Sequence, residues 1–160
     1  MRSRREDSLT PDVILHGYHI GIFPMADSLS GEIRWYLPKL RAIIPINKFR
    51  VSRSLRQVIK KNQFDIRINT NFKSVIRACA SLRENMEGTW ISEDIIRVYL
   101  ELNRLGHAHS VEAYEGNELA GGLYGVAIGG VFFGESMFYY KPNASKVALF
   151  SLVERLRQKG

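Results

Sequence analysis

The sequence is poor in three things. Cys79 is the one cysteine in 160 residues, so an internal disulfide framework is excluded and a reducing, cytoplasmic location is expected. No apolar run approaches the ~20 residues that span a bilayer, so no membrane partner is expected. The basic start MRSRREDSL leads into neither an apolar core nor a small-residue cleavage site and reads as no secretory signal. Acidic residues are absent from Lys48 to Gln63, which leaves one stretch of the chain with positive charge and nothing to offset it.

What is present describes one compact α/β domain able to bury a core, since 45% of residues are hydrophobic and 24% are charged. A net charge of +7 points to an anionic partner, for which nucleic acid is the commonest choice. The charge is concentrated in FRVSRSLRQVIKK, which holds Arg50, Arg53, Arg56, Lys60 and Lys61. Leu55, Val58 and Ile59 mark the opposite side of a short helix there, and Arg53, Arg56 and Lys60 share one face. Phosphate contact is the expected use of that face; a merely solvated helix surface is the alternative.

A second anomaly lies in GGVFFGESMF, where Glu135 interrupts an apolar, glycine-rich strand. Burying even a neutral polar group without a partner costs about 2 to 7 kcal/mol. Glu135 therefore requires a cation, either from this chain or from a ligand.

Local signals give the element order. Thr10 and Pro11 form an N-cap and first position for a helix over 11–21. RAIIPI reads as a short strand, with Pro45 assigning it to an edge, and the basic helix starts near Ser52. FDIRIN alternates as a half-buried strand, and NFKSVIRACASL has helical spacing with Cys79 on its apolar side as a buried structural thiol. Ser92 caps the next helix and Gly106 closes it. HSVEAYE, ELAGGLYGVAIG and VFFGESMFYY form an antiparallel meander turning at Gly116–Asn117 and Gly129–Gly130. ASKVALFSLVERLRQKG is a final amphipathic helix with Asn143 as N-cap.

Strand, helix, helix, three strands, helix resembles the N-acetyltransferase-like acyltransferase fold, an α/β (α+β) arrangement with a mixed sheet and flanking helices. The expected organisation is a small N-terminal subdomain over 1–62, carrying the basic helix, and an acyltransferase-like domain over 63–160. In that fold the last helix returns the chain to a strand parallel to the third meander strand. Without it the Glu135 strand is an open edge, so that final parallel strand is expected to be missing.

GYHIGIFPM, RAIIPINKFRVSRSL, GTWI, GHAHSVE, GGLYGV, FFGESMF and NASKVAL, in this order, resemble the leucyl/phenylalanyl-tRNA-protein transferases of the bacterial N-degron pathway. The resemblance runs from about Ser8 to Gly160. It implies transfer of leucine or phenylalanine from leucyl-tRNA or phenylalanyl-tRNA to acceptor proteins with N-terminal Arg or Lys, by ester aminolysis with no metal, ATP or other cofactor. It implies an apolar pocket from Leu123, Phe132 and Leu149. It places Tyr18 and Trp90 near the tRNA 3′ adenosine, and tRNA phosphates on Arg53, Arg56, Lys60 and Lys61. Glu135 falls in the site receiving the acceptor's basic amino terminus, as binder, as base, or as both. Core packing is the competing reading of Leu123, Phe132, Leu149, Tyr18 and Trp90, and an internal salt bridge is that of Glu135.

The sequence departs from the family at Met25, where tryptophan is common, and in lacking the segment after ERLRQKG that carries an Asp-x-Gln motif. Activity of these residues alone is therefore doubtful, and a non-catalytic tRNA-binding fragment is one alternative. An acetyl-CoA-dependent N-acetyltransferase is the other, but YYKPNAS offers no glycine-rich phosphate cradle before the last helix. His107 and His109 are expected to serve hydrogen bonding, since nothing completes a metal set around them. The glycines of GGLYGVAIGG lie within and between strands instead of opening a helix, which points to close backbone approach or bulges, not dinucleotide binding.

Overall fold

The structure, a computed structural model, describes residues 9–84 and 88–159. The basic start MRSRREDS lies outside the described residues.

The chain opens as its caps dictate. The Thr10 side chain accepts from the Val13 N–H, Pro11 takes the first position, and α1 runs Pro11–His19. Two short strands follow that the local signals do not reveal, β1 (Phe23–Ala26) and β2 (Ile33–Tyr36), paired as an antiparallel hairpin. Asp27 closes its turn by accepting from the Leu29 and Ser30 N–H groups.

RAIIPI is not a strand. It runs as irregular chain into a 3-10 turn at Ile46–Lys48, with Ile43 79% and Ile44 51% exposed. Apolar composition alone cannot make a strand when no neighbouring edge accepts the backbone, and Pro45 has no N–H to offer one. Ser52 then caps α2 (Arg53–Lys60) through the Leu55 N–H.

From there the order matches the expectation: β3 (Asp65–Ile68), α3 (Phe72–Glu84), α4 (Glu93–Arg104), β4 (Ala108–Glu115), β5 (Glu118–Ile128), β6 (Val131–Tyr139) and α5 (Ala144–Lys159). Ser92 caps α4 through the Ile95 N–H, and Gly106 follows its end at φ +83°. Asn143 also has positive φ, and its carbonyl accepts the first helical bond of α5 from Val147.

The main sheet has the order β3-β4-β5-β6. A mixed sheet is the sequence expectation, but every pairing among the described residues is antiparallel. The tight turns joining β4, β5 and β6 allow no other sense, whereas β3 reaches its antiparallel place beside β4 through α3 and α4. Among the described residues β6 is an edge strand and no parallel neighbour stands beside it.

Strand alternation sorts the core onto two faces. On one face Tyr124, Val126 and Phe138 meet Ile14 and Tyr18 of α1, Val75, Ile76 and Cys79 of α3, and Ile95 and Tyr99 of α4. On the other, Val111 and Leu123 meet Leu55 of α2 and Val147 and Leu152 of α5. Gly121 permits the close approach of α5, because a Cβ there would lie 2.7 Å from the Ala144 Cβ and 2.9 Å from the Phe138 carbonyl oxygen.

Glu112, within GHAHSVE, is a fully buried carboxylate whose partners are all neutral donors. It accepts from the Thr70 N–H and hydroxyl, the Asn71 N–H, and the Ser110 hydroxyl at 2.5 Å. Thr70 and Asn71 lie at the start of α3, where negative charge is favoured by the helix dipole, and Ser110 belongs to β4. His109 completes the structural use of this motif through a 2.9 Å hydrogen bond with the Asn69 side chain. Among the described residues no cluster of three or more His, Cys, Asp or Glu could hold a metal ion, and no helix is long and apolar enough to cross a membrane.

Candidate functional site

Glu135 owes its position to an irregularity in strand pairing. Tyr124 faces Ser136 and Gly125 faces Gly134, so Glu135 is the extra residue of a β-bulge in β6. Bulges re-aim a side chain that strict alternation would send elsewhere. Here the carboxylate reaches α1, where its Oε1 accepts from the Tyr18 hydroxyl at 2.5 Å. Because Tyr18 donates to Glu135, the Tyr99 hydroxyl, 2.7 Å away, donates to Tyr18. Burial pushes both phenols well above their usual range, so both remain protonated donors.

Burial also pushes the Glu135 carboxyl up to about 7, against the opposing pull of the Tyr18 hydrogen bond and the Arg41 charge. Arg41 is not an ion-pair partner. Its guanidinium donates to the Gly21 carbonyl at 2.7 Å and lies 5.2 Å and 5.9 Å from the Phe23 and Phe133 ring centroids. Among the described residues Glu135 forms no ion pair. The internal salt bridge that the sequence allows is therefore not its partner; neutral tyrosines are.

Tyr18 is only 4% exposed, with its ring 4.9 Å from that of Phe133. Its ring packs within the core, and its hydroxyl bonds Glu135 and Tyr99. Trp90 is half-buried against the same cluster, and its carbonyl accepts from the Ala26 N–H of β1 at 3.0 Å. Tyr99 escapes sequence reasoning because a tyrosine on the buried face of an amphipathic helix reads as core. Trp35 escapes it too: its ring covers α1 at Gly17, where a Cβ would lie 2.4 Å from it.

Leu123 and Phe132, on the opposite face of the sheet, and Leu149 of α5 belong to one apolar cluster. Leu123 is buried, whereas Phe132 and Leu149 are half-buried. Gly125 makes room for the Phe132 ring, since a Cβ there would lie 2.5 Å from that ring and 2.2 Å from the Phe133 carbonyl oxygen. Phe132 and Glu135 thus share one edge strand and look to different faces.

Away from both, Arg53, Arg56, Gln57 and Lys60 line a surface hollow of about 490 Å³ on α2. All are exposed, and among the described residues the three cations form no ion pair. Lys61, the C-cap of α2, does not line the hollow.

The described residues thus present two separate charged features without ion pairs, a cationic face on α2 and the Glu135 carboxylate on the edge strand. Comparison with known proteins places the chain in a family. A family model described as leucyl/phenylalanyl-tRNA protein transferase matches residues 43–160, and one for that protein's N-terminal domain matches residues 7–39. The chain is 56% identical over 147 residues to the leucyl/phenylalanyl-tRNA–protein transferase of Chlorobium limicola, covering 92% of this chain and 76% of that one. Identity to the protein of the same name from Chlorobaculum parvum is 57% over the same span and coverage. The chain belongs to the leucyl/phenylalanyl-tRNA protein transferase family.

Proposed function

We propose that the chain takes leucine or phenylalanine from its tRNA and joins it to the α-amino group of proteins beginning with Arg or Lys, marking them for degradation in the cytoplasm. The observation that carries the site assignment is the bulge-borne Glu135 carboxylate, which has neutral hydrogen-bond donors but forms no ion pair among the described residues. A guanidinium or ammonium from the acceptor supplies the missing charge. The amino group attacks the aminoacyl ester carbon, the new amide bond forms, and the ester C–O bond breaks to release the tRNA hydroxyl. A free α-amine titrates near 7.7 to 8.0, so alignment and a modest proton acceptor provide most of what the step needs. Glu135, held near neutrality, matches that need in either role.

The remaining assignments follow from chemistry. Leu123, Phe132 and Leu149 form the apolar pocket for the transferred side chain. Arg53, Arg56 and Lys60, with Lys61 beside them, hold tRNA phosphates, which position without specifying sequence. Trp90 stacks on the 3′ adenosine, whereas Tyr18, with Tyr99 behind it, orients Glu135. In this reading residues 1–62 serve mainly RNA, and residues 63–160 form the acyl-transfer domain, whose element order supports an N-acetyltransferase-like fold.

The test is incubation with leucyl-tRNA and a protein starting with arginine, reading leucine at the new amino terminus. Glu135→Gln is expected to lower transfer far more than RNA affinity. Equal losses in both would assign Glu135 a structural role.

A further inference from the structure

Next to the cationic hollow on α2 lies a second one, of about 330 Å³, between α2 and α5. Its size is at the lower end of small-molecule sites, roughly 300 to 1,000 Å³. Phe49, Val51, Ile59 and Phe150 contribute apolar surface, and all four are half-buried, not sealed in the core. Arg50, Arg56 and Lys60 stand around them, and no acidic residue lines the hollow. Arg56 and Lys60 belong to both hollows, so the two form one continuous track.

The wall is fixed in advance. Arg157 of α5 donates to the Ile46 carbonyl at 2.7 Å and the Phe49 carbonyl at 2.9 Å, and its remaining charge is met by Glu154. The backbone that carries Phe49 is thereby tied to α5, which carries Phe150, without a ligand to order it.

Rings set beside a row of cations free of acidic neighbours are what single-stranded nucleic acid requires: cations follow the phosphates, and rings receive unstacked bases. We propose that this hollow takes one unpaired nucleobase of the RNA, stacked on Phe49 or Phe150, with its flanking phosphates on Arg56 and Lys60. The proposal rests on the reading of the ligand as tRNA. It goes beyond that reading by requiring an unpaired base at a site separate from Trp90.

The experiment compares two RNA hairpins with one stem, one blunt and one with a single-stranded 3′ tail carrying the fluorescent adenine analogue 2-aminopurine at successive positions. One tail position is expected to be quenched on binding the wild-type chain. Phe49→Leu and Phe150→Leu keep the apolar volume but remove a ring. At least one should weaken tailed-hairpin binding about five- to tenfold, the lower range of base stacking on an aromatic ring, restore the emission, and leave blunt-hairpin binding unchanged. Phe150→Trp should retain the quenching.

Absence of quenching at every tail position, or wild-type affinity in both leucine variants, overturns the proposal. So does a leucine variant that still binds tailed RNA but no longer binds an acidic, leucine-bearing peptide, which would make the hollow a protein-docking site. If the wild-type chain transfers leucine and these results fail, only the hollow's role falls. If it neither transfers leucine nor binds RNA, the proposed function falls with it.

Discussion

Glu135→Gln should make the protein more stable, and more so as the pH rises. In the folded chain the carboxyl titrates at about 7, against an ordinary value of 4.5. Between those values the folded state holds a proton that the unfolded state has released, so wild-type stability falls as pH increases through this window and stays lower above it. At 1.36 kcal/mol per pH unit the shift corresponds to about 3 kcal/mol, which partial exposure of the side chain reduces to about 2 kcal/mol. Glutamine keeps an oxygen to accept from Tyr18 but carries no charge to desolvate. Its advantage over wild type should therefore be small near pH ~4.5 and grow to about 2 kcal/mol near pH ~8. Urea unfolding followed by tryptophan fluorescence at several pH values measures both curves. A constant difference between them would refute the burial argument. A difference that shrinks with pH would mean the opposite sign of shift, and hence a cationic partner such as Arg41 closing on Glu135.

Three other variants test separate parts of the structure. Replacing Arg53 and Arg56 by glutamine should flatten the dependence of log affinity on log salt by about 0.7 to 0.9 for each phosphate that the protein no longer neutralises, and an unchanged slope would remove α2 from the RNA interface. Gly125→Ala forces a Cβ against the Phe133 carbonyl and the Phe132 ring; a destabilisation of about 1 to 3 kcal/mol is expected in denaturant unfolding, and an unaltered midpoint would show that the bulge relaxes freely. Glu112→Ala strands the donors of Thr70, Asn71 and Ser110; it should cost upwards of about 3 kcal/mol and speed amide exchange in the first turn of α3, whereas normal exchange there would deny its capping role.

The helices and the meander are legible in sequence because their signals are local. Thr10 with Pro11, Ser52, Ser92 and Gly106 mark helix ends by satisfying or sparing particular backbone groups, and those groups are where the sequence places them. The hairpin of β1 and β2 is not legible, because four-residue strands are chosen by what they pack on, here α1 through Trp35 and Gly17. RAIIPI misleads for the converse reason: its pattern is strand-like, but among the described residues no partner edge takes it up. The Glu135 anomaly is visible in sequence, yet its resolution is not. A bulge changes pairing without changing composition, and the tyrosine that supports it from α4 looks like any other core aromatic.

The choice of partner matters for what Glu135 can do. An arginine in contact would keep the carboxylate ionised but engaged, and an incoming cation would have to displace it. Tyr18 and Tyr99 instead supply hydrogen bonds without charge, and their raised titration ensures that they remain donors. Ionised Glu135 is thus oriented without an ion pair among the described residues, with only the more distant Arg41 charge acting on it. A cation reaching it gains the ion pair that the fold leaves unmade and, by favouring the ionised form, lowers the carboxyl from its position near neutrality. The tyrosine pair therefore converts folding stability into affinity for positive charge at one edge of the sheet, which explains why a substitution that stabilises the fold should at the same time weaken the site.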